Sequence, residues 1–399
     1  MIDLKRARAN ADETRATLAR KGAADAFDAL LEADERWRAL VPRIDELRSR
    51  TKTKGKPSPE ELTELQAVKA ELKDAEDDLA KAEAERDALA LRVPNLPHSD
   101  VPDGSTEADV LELRRVGEPP PLTEPREHLE VGRFEMERAA RMSGARFGYW
   151  VGDTARLALA LYRLALDRLS AKGFTTILPP VLVREDALVG TGAFPSDEAN
   201  VYELPADELY LAGTAEIPVA SLHAGEIVPT DELPLRYVAF SPCFRREAGA
   251  AGRDTRGMIR VHQFNKVEQF SLTEPSTSWD ELELLLANTE ELVQALELPY
   301  RVVVLPAGDM SSASAKTYDV EIWFPSQGRY RETASISNTT DFQARRLQIR
   351  FRGEHGPEPV HLLNGTAVVD RMALAILENF QGDVPDVLRP YGAPDRIAS

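Results

Sequence analysis

The sequence predicts an α+β protein in which helices flank a mostly antiparallel sheet and a long helical hairpin precedes it. Two stretches with heptad spacing lie near the N-terminus, and a proline-rich stretch follows them. From residue 124 onward, short strand-like segments succeed one another, often with no helix between them. Such neighbours favour hairpins over parallel β-α-β units. With 399 residues, the chain has room for two or three domains.

The N-terminal hairpin is predicted from apolar side chains that recur every seven residues. They are Leu30, Trp37 and Ile44 in the first helix, and Leu65, Leu72 and Leu79 in the second. Between the two seams, Ser58 can cap the second helix and Pro59 can open it. Helices with facing seams and a short turn pack antiparallel. We expect a hairpin on the order of 40 to 50 Å long, with a kink at Pro42.

Basic residues are concentrated where this hairpin turns. The net charge of the chain is -18, which would argue against nucleic acid if the charge were evenly spread. The stretch 48–56 nevertheless holds no acidic residue, and its basic residues are Arg48, Arg50, Lys52, Lys54 and Lys56. This run predicts contact with a polyanion such as an RNA backbone. A solvated basic turn is the alternative that the run alone leaves open.

The remaining elements follow a predicted linker over residues 101–123, where prolines replace the periodic pattern. Helices are predicted over 134–142, 153–172, 279–296 and 371–379. Strands are predicted over 176–178, 209–211, 236–241, 261–271, 301–305, 318–323, 329–336 and 361–364. The chain has no Walker loop and no Gly-x-Gly-x-x-Gly fingerprint. A nucleotide would therefore be bound without a P-loop or a Rossmann crevice.

The segment Phe244–Glu268 carries the densest cluster of polar side chains on predicted strands. Its near alternation predicts two strands with one polar face. The side chains that can converge there are Arg245, Glu247, Arg260, Phe264 and Glu268. Arginine forks bind phosphate or carboxylate oxygens, and a flat aromatic ring can stack on a base. An exposed hairpin laced with ion pairs is the alternative for this segment alone.

Three further polar clusters lie on or beside predicted strands. They are Thr214 with Glu216, Glu332 with Ser335, and Asn364 with Thr366 and Arg371. Together with the hairpin they offer arginines for a triphosphate, carboxylates for magnesium or an amine, and hydroxyls for a small polar substrate. Each alone also suits an ordinary turn or cap. Their presence around one predicted sheet favours a binding site.

The composition argues against several classes of protein. The six histidines are scattered and Cys243 is the only cysteine, so neither zinc nor a disulfide framework is expected. The N-terminus lacks the basic and apolar blocks of a signal peptide, and no uncharged apolar run approaches membrane-spanning length. We expect a cytoplasmic protein with no membrane partner.

Over essentially its whole length, the sequence resembles bacterial-type seryl-tRNA synthetases, a family of class II aminoacyl-tRNA synthetases. The segments that carry the resemblance include Val93–His98, Ser143–Phe147, Gly173–Pro180, Phe244–Glu268 and Leu363–Asn379. Motifs 1, 2 and 3 of that class correspond to about 155–180, 236–268 and 361–381. The resemblance implies a tRNA-binding helical arm at 1–100, a catalytic domain at 124–399 and a homodimer.

The resemblance also implies an activity and its residues. The chain would activate L-serine with ATP and transfer it to serine tRNA. ATP would be bound by Arg245, Glu247, Arg260, Phe264, Glu332, Ser335 and Arg371. Serine would be bound by Thr214, Glu216, Arg245, Glu268, Asn364 and Thr366. Arg245, Glu332 and Arg371 would be catalytic, and Glu332 and Ser335 would hold Mg2+.

Three positions depart from the family pattern: Ser311 stands where glycine is usual, Ile336 where cysteine or a small residue is common, and Asp370 where glycine or another small residue is frequent. They leave open a specialised paralogue, either tolerant of an inhibitor or loading another acceptor. A catalytically silent RNA-binding protein is the other alternative. Selenocysteine tRNA shares the long variable arm in this family, so the sequence also leaves it open as an acceptor.

Overall fold

We describe the protein from a computed structural model, in residues 1–52, 58–248, 257–354 and 356–398. The chain divides into two compact units, Met1–Leu96 and Pro97–Ser399. Within the described residues, no helix combines the length and the apolar composition needed to cross a bilayer.

The first unit is helical, and its two long helices confirm the predicted hairpin. Its helices are α1 (Leu4–Ala9), α2 (Ala11–Ala19), α3 (Ala24–Arg50) and α4 (Pro59–Arg92). The predicted seams meet in a cluster of Ile44, Leu47, Val68 and Ala75. α3 continues through Pro42 as one helix. The two seams thus bury each other, which stabilises helices that would be marginal alone.

The start of α4 follows the predicted capping pattern. Ser58 Oγ accepts from the Glu61 backbone N–H at 3.3 Å, and the Glu61 carboxylate accepts from the Ser58 N–H at 2.6 Å. This reciprocal pair is a capping box, and Pro59 occupies the first turn, where its missing N–H costs nothing. The end of the turn is therefore fixed by local sequence.

The predicted basic tip is only partly within the described residues. Arg50 and Lys52 are exposed, whereas Lys54 and Lys56 lie outside the described ranges. Arg48 forms an ion pair with Glu76 of α4 at 2.9 Å, and both side chains remain largely exposed. Exposed pairs of this kind are weak, so Arg48 can exchange this partner for a phosphate at small cost.

The second unit contains the described strands and the remaining helices. The strands are β1 (Leu111–Val116), β2 (Phe134–Glu135), β3 (Tyr149–Trp150), β4 (Thr175–Ile177), β5 (Leu182–Val183), β6 (Tyr202–Leu204), β7 (Leu209–Leu211), β8 (Ile227–Val228), β9 (Leu235–Phe244), β10 (Gln263–Thr273), β11 (Tyr300–Val304), β12 (Lys316–Phe324), β13 (Arg329–Asn338), β14 (Arg350–Gly353), β15 (Gly356–Pro359) and β16 (His361–Val369). The helices are α5 (His128–Val131), α6 (Met136–Ser143), α7 (Asp153–Ala171), α8 (Glu185–Thr191), α9 (Glu216–Ser221), α10 (Ser278–Ala295), α11 (Phe342–Leu347) and α12 (Asp370–Phe380).

Eight of these strands form one large sheet. Their order is β1-β11-β12-β13-β16-β10-β9-β4, and every neighbouring pair is antiparallel except β4 with β9. The predicted antiparallel sheet is confirmed. The irregular linker predicted over 101–123 is wrong for Leu111–Val116, which form the edge strand β1. β1 is largely exposed, and Leu111 and Leu113 alternate with charged residues over only a few positions inside a proline-rich stretch, so the local sequence indicates this strand weakly.

The main core packs helices against one face of this sheet. Its fully buried members include Leu161 of α7, Leu285 of α10, Leu374 of α12 and Val267 of β10. Gln269 Nε2 also donates to the Leu285 carbonyl, at 3.2 Å. Because side chains alternate along a strand, the neighbours of Val267 and Gln269 point to the opposite face. Near the centre of the sheet, polar side chains can therefore lie on this opposite face.

Candidate active site

Two β-bulges bring the polar residues of neighbouring strands to the face opposite α10. Glu268 of β10 lies directly across from Thr366 of β16, and the register shifts immediately beyond this pair. In β13, Ser335 pairs with Asp319 while Glu332 pairs with Glu321, so the strand carries one extra residue between them. A bulge of this kind turns side chains three positions apart to the same face.

One group of side chains surrounds Thr214 and Glu216, at the start of α9. Lys266 Nζ donates to Thr214 Oγ1 at 2.8 Å and forms an ion pair with the buried carboxylate of Glu268. Gln343 Nε2 of α11 donates to Glu216 Oε1 at 2.6 Å. We call these five residues the carboxylate pocket. Its polar groups suit a small zwitterion or amine.

The charge of Glu216 is set by this pocket. Burial raises the pKa of its carboxyl, and the neighbouring charge of Glu268 raises it further. The hydrogen bond from Gln343 and the charges of Lys266 and Arg245 lower it. Two carboxylates in one enclosed place favour a cationic ligand.

Arg245 connects the carboxylate pocket with an aromatic side chain. Its Nε donates to the Gly213 carbonyl at 3.2 Å, next to Thr214. Its guanidinium lies over the Phe264 ring, 5.2 Å from the centroid. His262 holds the Arg245 backbone at both ends, since the Arg245 N–H donates to the His262 carbonyl at 3.0 Å and His262 Nδ1 lies 3.0 Å from the Arg245 carbonyl. The arginine side chain therefore projects from a fixed backbone.

The second half of the predicted motif 2 hairpin is less regular than expected. The strand predicted from residue 261 begins only at Gln263, and residues 257–260, which include Arg260, form bends before it. Arg260 Nη1 forms an ion pair with Glu247, a residue with φ of 52°. Among the described residues, Arg260 Nε is buried and has no hydrogen-bond partner. Such a donor is costly unless a ligand supplies an acceptor.

Arg371 at the start of α12 closes the other side of the site. Its Nη2 donates to the Ile259 carbonyl at 3.2 Å, and its Nη1 donates to the Glu332 carbonyl. Burial lowers the pKa of Arg371, the Glu332 carboxylate opposes this, and the like charges of Arg331, Arg260 and Arg245 lower it further. Mutually repelling arginines on one face favour a polyanionic ligand such as a triphosphate.

Glu332 and Ser335 share that face with Asp319. The Ser335 hydroxyl bonds to the Asp319 carboxyl, whose pKa burial raises well above its usual range and the charge of Glu332 raises further. Glu332 is exposed, and its carboxylate lies 3.9 Å from Arg371 Nη1. These oxygens lie beside the arginines that suit a triphosphate.

The structure thus brings the predicted residues into two adjoining clusters. The carboxylate pocket takes in Thr214, Glu216 and Glu268, and Arg245 leads from it to the arginines around Phe264. Sequence reasoning missed Lys266, Gln343 and Asp319. Lys266 could have been found from its alternation with Phe264 and Glu268, whereas Gln343 carries no local signal because α11 joins the site only in the fold.

The three unusual positions lie in different surroundings. Ile336 points into the main core and packs over Gly365, where an added Cβ would lie 3.1 Å from it. It therefore does not line the polar face. The Ser311 hydroxyl bonds to that of Ser314 at 2.8 Å. Asp370 is buried directly before Arg371, where it accepts from the Asn265 N–H at 3.0 Å and from the Tyr162 hydroxyl.

Asp370 is expected to make stability depend on pH. Burial raises the pKa of Asp370 to about 7, so the folded state holds a proton that the unfolded chain releases near pH 4. Stability should then fall as pH rises from about 4 to about 7. Asp370→Asn removes this dependence. The free energy of unfolding of the variant, minus that of the wild type, should therefore rise by on the order of 2 kcal/mol from pH 5 to pH 8. Urea unfolding at both pH values measures this difference.

Asp386→Asn, at an exposed site, is the control for this substitution. A gain in stability of Asp370→Asn that is independent of pH would contradict the expectation.

Comparisons with known proteins agree with this geometry. The model of the seryl-tRNA synthetase N-terminal domain matches residues 1–97, and that of the class II tRNA synthetase core domain (G, H, P, S and T) matches residues 201–380. The serine–tRNA ligase of Thermobifida fusca is 45% identical over 99% of this chain and 98% of its own length. That of Geobacter sulfurreducens is 42% identical over 98% of both.

Solved structures give the same result. A seryl-tRNA synthetase from Pyrococcus horikoshii, complexed with ATP, superposes with a TM-score of 0.94 at 38% identity, covering 100% of this chain and 99% of that one. A prolyl-tRNA synthetase from Giardia lamblia shares the fold at a TM-score of 0.57 and 15% identity, over 67% of this chain and 57% of that one. Fold and site together define a class II aminoacyl-tRNA synthetase. Within that class, the chain belongs to the seryl-tRNA synthetase family.

Proposed function

We propose that this chain is a serine–tRNA ligase that forms seryl-adenylate from L-serine and ATP, then transfers the seryl group to the 3' end of serine tRNA. The observation that carries the proposal is the position of Arg245. Its Nε bonds to Gly213 beside the carboxylate pocket, and its guanidinium lies over Phe264. The Arg245 guanidinium would therefore contact the amino acid on one side and the nucleotide on the other.

Adenylation needs alignment and charge stabilisation from the protein. A serine carboxylate oxygen attacks the α-phosphorus of ATP, and the bond from that phosphorus to the bridging oxygen breaks as pyrophosphate leaves. The nucleophile is already ionised, so no general base is required. Arg245 would neutralise charge on the α-phosphoryl oxygens, and Arg371 and Arg260 would hold the outer phosphates. Phe264 would stack on adenine.

Two of the assigned groups must release internal partners when ATP binds. Glu247, assigned to the adenine amino group, is engaged by Arg260. Arg245 covers the ring face that adenine would use. An adenine base that displaced these two contacts would free Arg260 to bind a phosphate. That phosphate would also supply the hydrogen-bond acceptor that Arg260 Nε lacks. ATP binding would thus exchange these contacts for contacts with the nucleotide.

Serine selectivity would come from the polar side chains of the sheet. Glu268, with Thr214 and Glu216, would bind the substrate ammonium group. Asn364 and Thr366, on the strand that faces Glu268, would bind its hydroxyl. Alanine would leave those groups unpaired, at about 1 to 3 kcal/mol each.

Magnesium is proposed as the ion that accompanies ATP. Among the described residues, no group of three or more His, Cys, Asp or Glu side chains is arranged to hold a metal by itself. Mg2+ at nucleotide sites commonly takes one or two protein carboxylates together with phosphates and waters. Glu332 and Ser335 would hold it, and Asp319 Oδ1 is a buried oxygen that has no hydrogen-bond partner within the described ranges. These residues fit an ion that arrives with the nucleotide and adds positive charge beside it.

The helical arm is proposed to bind serine tRNA. Residues 1–100 would serve this role, and the catalytic domain predicted from residue 124 onward would also include the edge strand β1. Arg48, Arg50, Lys52, Lys54 and Lys56 would contact phosphates, which makes charging sensitive to salt. Selenocysteine tRNA stays a second candidate acceptor. We also propose that the protein acts in the cytoplasm.

A homodimer is proposed through the motif 1 region. Leu178 follows β4 at one edge of the sheet, and its side chain is 76% exposed. Leu159 of α7 and Leu182 of β5 are also exposed. Leu178→Asp should convert the dimer to a monomer in sedimentation or light-scattering measurements, because a charge would have to be buried. Leu62→Asp, at an exposed leucine of the arm, is the control. A native molecular mass of one chain for the unsubstituted protein would contradict the proposal.

Charging of purified tRNAs tests the overall function. The full chain is incubated with ATP, labelled serine and a panel of tRNAs that includes the serine and selenocysteine species. We expect esterified serine on tRNAs with a long variable arm. Serine activation without transfer to any tRNA would instead support a ligase for another acceptor, and the absence of both would support a silent RNA-binding protein.

A further inference from the structure

Lys266 lies inside the carboxylate pocket, and the proposed reaction gives it no role. Its side chain is only 9% exposed. The ammonium group donates to Thr214 Oγ1 at 2.8 Å and is paired with the Glu268 carboxylate. Burying an ammonium group is costly unless it is paired in this way. Lys266 is therefore held by two of the groups that would bind serine.

Its place on β10 puts Lys266 between the two halves of the site. Phe264, Lys266 and Glu268 alternate along the strand, so their side chains leave the same face. Phe264 contacts Arg245 on the nucleotide side, and Glu268 lies across from Thr366 on the serine side. A change at Lys266 should therefore affect Glu268 and Thr214 before it affects the nucleotide.

The charges of the pocket depend on Lys266. Glu216 of α9 and Glu268 of β10 both face it, whereas α11 contributes the neutral amide of Gln343. Arg245 approaches from the end of β9, where it would be engaged by the α-phosphate. Burial raises the pKa of Glu216 most, Glu268 raises it further, and Lys266 lowers it. Removing Lys266 would leave the carboxylates of Glu216 and Glu268 without the positive charge of the lysine beside them.

We propose that Lys266 is a positioning residue of the serine pocket, an inference that rests on the function proposed above. Its ammonium group fixes the Glu268 carboxylate and the Thr214 hydroxyl, and it neutralises one of the two carboxylates. The pocket then carries one unbalanced negative charge, which matches the single ammonium group of an α-amino acid. Without Lys266, the charge that lowers the pKa of Glu216 is lost, so Glu216 is protonated at higher pH and the pocket binds that ammonium group less well.

The test compares Lys266→Gln with Lys266→Arg in the full chain. Glutamine keeps a hydrogen-bond donor for Thr214 and Glu268 but removes the charge, whereas arginine keeps the charge. Pyrophosphate exchange is measured against serine and ATP from about pH 6 to about pH 9. For Lys266→Gln we expect the KM for serine to rise roughly tenfold at pH 7 and the defect to shrink at higher pH, as Glu216 ionises again. The KM for ATP and kcat should stay within about threefold of wild type, and Lys266→Arg should keep the wild-type pH profile.

Lys316→Gln is the matched control, because Lys316 is 12% exposed and paired with Asp100 on another part of the sheet. It should leave the KM for serine unchanged. An unchanged serine KM in Lys266→Gln, an equal rise for ATP, or a defect independent of pH would overturn the role of Lys266. If Lys266→Gln does not fold, a shifted pH profile in Lys266→Arg overturns it. Absence of serine-dependent exchange in the unsubstituted protein would overturn the proposed function itself, and this inference with it.

Discussion

Replacing Arg245 by alanine is expected to lower serine-dependent pyrophosphate exchange by about a hundredfold to a thousandfold. The guanidinium lies between the carboxylate pocket and Phe264, where the serine carboxylate and the α-phosphate would meet. Its positive charge would be needed most as the α-phosphorus gains a fifth oxygen. Loss of one such preorganised group costs about 3 to 4 kcal/mol in the transition state. The exchange rate at saturating serine and ATP measures the effect.

Arg246→Ala provides the matched control for this substitution. Arg246 is the next residue, and like Arg245 it is exposed. Its backbone N–H donates to the Asn200 carbonyl at 2.8 Å, a bond that the substitution keeps. Exchange by Arg246→Ala should stay within about threefold of wild type. If Arg245→Ala retained a tenth or more of the wild-type rate, the role of Arg245 at the α-phosphate would be wrong.

Deleting residues 30–89 is expected to abolish tRNA charging while leaving serine activation mostly intact. The residues assigned to serine and ATP all belong to the second compact unit, and the deleted segment belongs to the first. Activation needs only the small substrates, whereas charging requires the tRNA to be held by the arm. Parallel assays of pyrophosphate exchange and tRNA charging on the same preparation measure the two activities.

A milder variant in the full chain separates loss of the tRNA contact from loss of structure. Arg50→Glu with Lys52→Glu reverses two exposed charges near the turn. Charging should fall by about tenfold or more, because each lost phosphate contact weakens binding and each new acid repels the backbone. Lys81→Glu, on an exposed part of α4, is the control. Loss of pyrophosphate exchange together with charging, in either variant, would contradict the division of labour.

The elements with strong local patterns could be predicted from sequence. The heptad seams predict the hairpin of α3 and α4, and Ser58 with Pro59 predicts the start of α4. Alternation placed β9, β10, β12 and β13 correctly, although β9, β12 and β13 are longer than predicted and β10 begins and ends two residues later than predicted. β1 was missed because its alternation of leucines with charged residues is short and lies inside a proline-rich stretch. Its partner β11 supplies the pairing that local sequence could not indicate.

The sequence indicates candidate binding residues, but not the contacts among them. Residues such as Glu268 and Arg371 carry family motifs, but which carboxylate meets which cation depends on register. The bulge beside Glu332 turns that residue toward Ser335, and α11 brings Gln343 to Glu216 from a distant part of the chain. The ion pair between Arg260 and Glu247 likewise follows from the bends before β10. Such contacts arise from tertiary packing, so the pairing of charges could be known only from the structure.

Amino-acid-dependent pyrophosphate exchange measures whether this chain activates serine in preference to other amino acids. The full chain, ATP, magnesium and labelled pyrophosphate are incubated with serine, alanine, glycine, threonine or cysteine in separate reactions without tRNA. We expect exchange with serine and rates at least about a hundredfold lower with alanine and glycine, which lack the hydroxyl that Asn364 and Thr366 would bind. Exchange that is absent with serine, or equal for serine and alanine, would contradict this expectation.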